Sequence, residues 1–260
     1  MNPVPILETT LKGIRVKIFR DKDAIGQAAA TKVASVIRAA LAEQGSAAVI
    51  FATGASQYEF LASLIQAPDI DWTRVTGFHL DEYIGMDNQH NASFRRYLRE
   101  RLFSRLPFKA VHYLEGDAPN PQLECARYQE LLLQQEIDLA CIGIGENGHL
   151  AFNDPPADFR TPYQVHVVNL DERCRLQQVG EGHFPTLADV PKQALSLSIP
   201  AILRAKSISC VVPDLRKAEA VRCALAGSIN PHCPASALQL HPNVDLYLDG
   251  ESASLLSDLG

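Results

Sequence analysis

Four short stretches hold the residues whose chemistry could be more than structural. "IGIGENGHLAFNDP", Ile142 to Pro155, sets His149 between Gly148 and Leu150, with Asn147 and Asp154 close by. Histidine is the side chain best suited to moving protons near neutral pH. An amide or carboxylate neighbour can fix its tautomer, and the glycines let the backbone fold tightly round a ligand. "GFHLDEYIGM" brings Asp81 and Glu82 to the end of an apolar segment. Adjacent strand residues point to opposite faces, so one acid can serve a site while the other serves the structure. "FATGASQYEF" offers Thr53, Gly54, Ala55 and Ser56 where a strand gives way to a helix. The first N–H groups of a helix have no partner within it and bind anions readily, although an ordinary helix cap reads the same way. "DLRKAEAVRCAL" puts Arg216 and Lys217 in a first helical turn. Cations there oppose the helix dipole at a few tenths to ~1 kcal/mol each, a cost that a bound phosphate would reverse.

Other chemistries lack their signatures. There is no GxSxG elbow and no GxxxxGK[ST] loop. "GIGENG" matches GxGxxG superficially, but a dinucleotide loop runs into a helix and this one runs into Pro155 and Pro156. No second His or Cys stands at ligand spacing from His149, so no metal site is expected. The six cysteines (125, 141, 174, 210, 223 and 233) form no CxxC pair and read as small buried hydrophobes in a reducing compartment. The net charge of -6 argues against a nucleic-acid or membrane-surface binder. The N-terminus lacks the apolar run of a signal peptide, and no segment approaches the ~20 apolar residues of a membrane span. A cytoplasmic protein without nucleic-acid or membrane partners is the expectation.

The elements must bring these stretches together. Strands are expected at 14–19, 47–51, 74–81 and 138–145, and later in "QVHVVNL", "ALSLSI", "SISCVV" and "VDLYL". Helices are expected at 21–44, from "TGAS" through Leu64, from an Asn91 cap over "NASFRRYLRERLF", in "CARYQELLLQQ", and from Leu215 to about Ala226. "DLACIGIG" is apolar throughout, as befits a strand buried on both faces. Strands alternating with helices predict an α/β fold with a doubly wound, mainly parallel sheet, whose carboxyl rim would gather "TGAS", "DEYIG" and "GENGHLAFND" at one place. The 260 residues fit one large domain or two small ones.

Taken together, "ATGAS", "HLDEYIGM", "GIGENGHLAFNDP", "VPKQALSLSIPAIL" and "LQLHP" resemble the glucosamine-6-phosphate deaminase/isomerase family, in order from about Val49 to Asp249. The resemblance implies a single domain over 1–260, a Rossmann-like sheet with a small appended β-element, and conversion of an aminosugar phosphate to a ketose phosphate plus ammonia without cofactor or metal. It implies that Asp81 is the enolisation base, that His149 opens the pyranose ring, and that Asn147 and Asp154 orient His149. It places the substrate and its phosphate on Thr53, Gly54, Ala55, Ser56, Glu82, Gly148 and Lys217.

Departures from the family pattern are Gln57 for proline, Asp154 for glutamate, and a lid stretch, "DERCRLQQVGEGHF", without the usual phosphate-holding arginine. Arg173 and Arg175 are the candidates to replace it. Only Arg160 follows the Asn-Asp-Pro turn, so activation by an acetylated sugar phosphate is not expected. The chain ends soon after its last expected strand, leaving little of the tail of longer members. A galacto-configured substrate, a lactonase activity and a non-catalytic sugar-phosphate sensor are the alternatives. The oligomeric state is not legible.

Overall fold

The computed structural model describes residues 3–256. Met1 and Asn2, at the head of the stretch read for a signal peptide, and 257–260, in the short C-terminal stretch, lie outside the described residues.

Among the described residues, eleven strands form two sheets. The main sheet holds β1 (Leu7–Leu11), β2 (Ile14–Phe19), β3 (Ala47–Phe51), β4 (Val75–His79), β6 (Ala110–His112), β7 (Leu139–Ile142), β10 (Ser207–Val212) and β11 (Val244–Asp249). Its order is β1-β2-β11-β10-β7-β3-β4-β6, parallel throughout except for β1 against β2. The small sheet holds β5 (Asp81–Tyr83), β9 (Gln193–Leu197) and β8 (Val165–Asn169), all antiparallel. The doubly wound sheet and its appendage match the sequence expectation; β1 and β6 are strands that the hydrophobic pattern did not predict.

The helices are α1 (Lys22–Gln44), α2 (Tyr58–Leu64), α3 (Phe94–Leu98), α4 (Pro121–Leu133), α5 (Glu172–Gly180), α6 (Ile199–Leu203) and α7 (Ala218–Ala226). Asp21 starts α1 by accepting from the Ala24 N–H at 2.8 Å, and Gly45 ends it at φ 81°, a conformation that favours glycine. Ile25, Ala29, Val33, Ile37 and Leu41, spaced by three or four, are buried along its inner face.

The central strands feed two cores alternately. Val49, Phe51, Leu139, Cys141 and Val211 pack with α1 and α2, while Ala48, Ile50, Ala140, Ile142, Cys210 and Val212 pack with α4, α6 and α7. Period-two alternation therefore yields three layers, with strands apolar on both faces. A third cluster, around Tyr83, Phe94, Phe152, Cys174 and Phe184, lies beneath the small sheet.

Several expected elements are corrected. The strand expected over 74–81 is two: β4 stops at His79, and Asp81 crosses into the small sheet opposite Ser196. Helix α3 is capped by Ser93, whose Oγ accepts from the Arg96 N–H at 3.2 Å, and not by Asn91. Helices α2 and α7 are each preceded by a 3-10 turn, Ala55–Gln57 and Leu215–Lys217, so the candidate anion residues sit in tight turns ahead of the α-helices. Cys125, Cys141, Cys174 and Cys210 are free and buried as expected, but Cys223 and Cys233 are bonded as a disulfide. The sequence motif missed it because its half-cystines are ten residues apart, brought to a Cα–Cα distance of 6.3 Å only by the fold between α7 and the turn at Pro234–Leu240. Among the described residues no helix is long and apolar enough to cross a membrane.

Candidate active site

A cleft opens at the carboxyl rim of the main sheet, where β3, β4, β7 and β10 end. Strands β3 and β7 are neighbours, yet β3 continues to β4 on one side while β7 continues to β10 on the other. Such a switch point splays the loops apart and leaves a crevice between them. Thr53, Gly54, Ala55 and Ser56 line it after β3, Asp81 beyond β4, His149 after β7, and Arg216 and Lys217 after β10. Stretches more than 160 residues apart thus meet in one place, as the sequence expectation requires.

Asp81 and Glu82 divide as adjacent strand residues must. Asp81 lines the cleft, is 6% exposed, and has no side-chain hydrogen bond among the described residues. Burial first, and the neighbouring Glu82 charge second, push its carboxyl well above the ordinary aspartate value of 3.8. Glu82 points away into the structure. It accepts from the N–H groups of Tyr83, Phe94 and Arg95 and from the Ser93 hydroxyl, at 2.9–3.2 Å. Glu82, expected among the substrate contacts, anchors the start of α3 and does not line the cleft. Burial still raises its carboxyl, opposed by those bonds.

His149 is held from behind. Its Nδ1 lies 3.2 Å from Asp154 Oδ1, although the alignment falls short of a full hydrogen bond. The Asn147 amide donates to Asp154 Oδ1 and to Asp171 Oδ2, both at 2.9 Å, and its oxygen accepts from the His149 N–H at 3.1 Å. The Asp171 N–H donates to Asp154 Oδ2 at 2.9 Å. Burial pushes the Asp154 carboxyl up, but His149, Asn147 and the Asp171 N–H outweigh it and leave the carboxyl below its ordinary range. Asn147 and Asp154 do not line the cleft; they stand behind the imidazole, tying the loop to Asp171, the cap of α5. The shorter aspartate thus reaches the ring without an intervening residue.

The glycines of this loop do different work from that expected. A methyl group on Gly145 would collide with the His149 ring, so Gly145 makes room for the imidazole. Gly148 sits at φ 84° and its carbonyl accepts from the Ala235 N–H at 2.8 Å. Expected among the substrate contacts, it turns the chain and does not line the cleft.

Lys217 is only 5% exposed; burial lowers its ammonium from 10.5, against the raising effect of Glu181 and Glu146. Gly54 holds its turn at φ 102°, and the Tyr97 hydroxyl donates to its carbonyl at 2.8 Å. The lid stretch forms α5 and delivers Gln177, Gln178 and Glu181 to the cleft. Neither Arg173 nor Arg175 lines it; Arg175 instead donates to the Leu187 and Val190 carbonyls. Sequence reasoning missed Gln177 and Glu181, whose four-residue spacing on one helix face was the available signal. It also missed Cys174, whose Sγ lies within 4.8 Å of ligand atoms on both His149 and Asp154. A 20-residue gap in sequence hid that proximity, and burial raises the thiol far above its usual range.

Comparison with known proteins follows the same pattern. The family of glucosamine-6-phosphate isomerases/6-phosphogluconolactonase matches residues 20–247. A glucosamine-6-phosphate deaminase of Exiguobacterium sp. is 41% identical over 185 residues, 71% of each chain. One from Streptococcus pneumoniae is 37% identical over 225 residues, 86% of this chain and 94% of the relative. Among solved structures, a monomeric glucosamine-6-phosphate deaminase superposes with a TM-score of 0.85 at 34% identity, covering 92% of this chain and 99% of that one. A 6-phosphogluconolactonase from Shewanella baltica, at 22% identity and a TM-score of 0.74 over 90% of this chain and 97% of its own, shares the fold.

Proposed function

The chain belongs to the glucosamine-6-phosphate isomerase/6-phosphogluconolactonase family, and within it we propose that it is a deaminase converting glucosamine 6-phosphate and water to fructose 6-phosphate and ammonia. One observation carries the reading. A carboxylate with no side-chain hydrogen bond among the described residues, Asp81, shares a cleft with a braced imidazole, His149, and a buried cation, Lys217.

The sugar's phosphate rests against Thr53, Gly54, Ala55, Ser56 and Lys217, whose ammonium meets a dianion better than water does in so buried a place. His149 moves the proton between the ring oxygen and O1 that opens the pyranose, steadied through Nδ1 by Asp154 and through the loop by Asn147. In the open chain, Asp81 takes the proton from C2, leaving an enolamine, and returns a proton to C1. The resulting imine at C2 adds water and releases ammonia. One carboxylate can serve both carbons only if the phosphate holds them within its reach, which is the use of binding energy remote from the reacting bonds. A raised pKa suits Asp81 to both halves of the shuttle, since a stronger base takes the proton more readily and a weaker acid still returns it. Side chains and water supply every transfer, so the reading calls for no cofactor. It also treats 1–260 as one domain, and a phosphorylated substrate, which does not cross membranes unaided, favours the cytoplasm.

Ammonia release over a panel of 2-amino-2-deoxyhexose 6-phosphates tests the proposal. Release is expected from the gluco compound in preference to its C4 epimer. Hydrolysis of a sugar-phosphate lactone without ammonia release from any aminosugar would replace the deaminase with a lactonase.

A further inference from the structure

We propose that Arg216 is the second cation of the phosphate subsite and that Glu181 is the internal carboxylate it exchanges for the substrate's phosphate. The inference rests on the sugar-phosphate reading above and assigns two residues that reading does not use.

Arg216 directly precedes Lys217 in the turn Leu215–Lys217, and both side chains line the cleft. Its guanidinium is loosely held. It lies 3.5 Å from Glu146, 3.8 Å from Asp214 and 3.9 Å from Glu181. Charge-assisted hydrogen bonds run at about 2.7–2.9 Å, so none of these contacts commits its donors. Arg15 makes the contrast: it grips Asp245 with two bonds of 2.9 Å. A guanidinium with its planar fork uncommitted is suited to bidentate recognition of a phosphate.

The three acids are not equivalent. Asp214 is paired with Lys22 at 2.5 Å, and Glu146 is one-third exposed at the edge. Glu181 is buried within the cleft wall, its side chain 7% exposed, accepting from Gln177 Nε2 at 2.8 Å and lying 3.6 Å from His183. Its charge acts on Lys217 as well as on Arg216. It is therefore the carboxylate that an incoming dianion must displace or repel. The α5 arginines cannot take the same role, since Arg175 is spent on backbone carbonyls and Arg173 does not reach the cleft.

The test is calorimetric titration of glucosamine 6-phosphate, inorganic phosphate and unphosphorylated glucosamine into wild type, Arg216→Gln, Arg216→Lys and Glu181→Gln, with steady-state kinetics on each. Arg216→Gln is expected to weaken glucosamine 6-phosphate binding by about tenfold or more, with the loss in KM rather than kcat, and Arg216→Lys to recover part of it. Glu181→Gln is expected to tighten inorganic phosphate by about threefold to tenfold. Equal binding of glucosamine 6-phosphate by wild type and Arg216→Gln overturns the inference and leaves the deaminase reading standing. So does an unchanged or weakened phosphate affinity in Glu181→Gln. A wild-type protein that binds no sugar phosphate and releases no ammonia overturns both.

Discussion

The two ends of the main sheet treat buried acids in opposite ways. At the amino ends of the strands, Asp138 accepts from the Ala48 N–H at 2.9 Å, from Gln44 at 2.8 Å and from Lys206 at 2.9 Å. Asp245, two strands away on β11, is gripped by Arg15 at 2.9 Å and approached by Lys17 at 3.2 Å. Burial pushes the Asp245 carboxyl up, but Arg15 and Lys17 prevail and hold it below the ordinary range. At the carboxyl rim, Asp81 is equally buried, has no side-chain partner among the described residues, and is pushed well above that range. Glu82, one residue on, shows that the rim could have satisfied an acid, because it satisfies that one four times. A carboxylate turned into a cleft with its pKa raised by burial is a feature of sites where chemistry, and not packing, sets the residue.

The largest expected effect breaks this contrast at the rim. Asp81→Asn should lose at least about a hundredfold in turnover while still binding sugar phosphate, because a positioned base typically contributes 10²–10⁴-fold. The same variant should be more stable than wild type at neutral pH, because it removes the negative charge that burial disfavours at this position. The sign follows from linkage. A carboxyl raised in the folded state supports folding below its unfolded value of 3.8 and loses that support as pH rises through its folded value. The advantage of Asp81→Asn in urea titrations should therefore vanish near pH 3 and grow upward.

Next in size is the brace behind the imidazole. Asp154→Asn should cost about 10–100-fold in kcat/KM, and Gly145→Ala a similar factor by displacing the His149 ring. At the opposite end of the sheet, Asp245→Asn should reduce stability by ~1–2 kcal/mol with turnover unaltered, since it weakens bonds to Arg15 far from the cleft. Here the sign reverses: a depressed carboxyl stabilises above its unfolded value of 3.8, and that contribution is lost as pH falls through the folded value. The smallest expected effect is on pH dependence. The acid limb of kcat/KM should have its midpoint above 3.8, and sugar-phosphate affinity should fade on the alkaline side below 10.5, as the buried Lys217 loses its proton.

Much of this arrangement was legible in the sequence, for reasons tied to period and composition. The apolar runs of β3, β7 and β10 have no polar face to hide, so the central parallel sheet reads directly, and its rim locates the loops that follow. The convergence of Asp81, His149 and Lys217 follows from that rim and from the family motifs. The break between β4 and β5 was not legible, because Phe78 and Leu80 keep the apolar alternation up to Asp81 and no Gly or Pro marks the change of sheets. Nor was the fate of Glu82, since alternation says that two adjacent acids part company without saying which one enters the cleft. Glu181, Cys174 and the Cys223–Cys233 bond depend on contacts between segments that no local pattern links.

The most direct measurement is the distance from the Asp81 carboxylate to C2 of a sugar 6-phosphate in a crystal of the complex. The phosphate is expected against Thr53–Ser56 and Lys217, with C2 within ~3.5 Å of the carboxylate and His149 beside the ring oxygen. A sugar phosphate bound elsewhere, or bound in the cleft with C2 facing away from Asp81, would contradict that expectation.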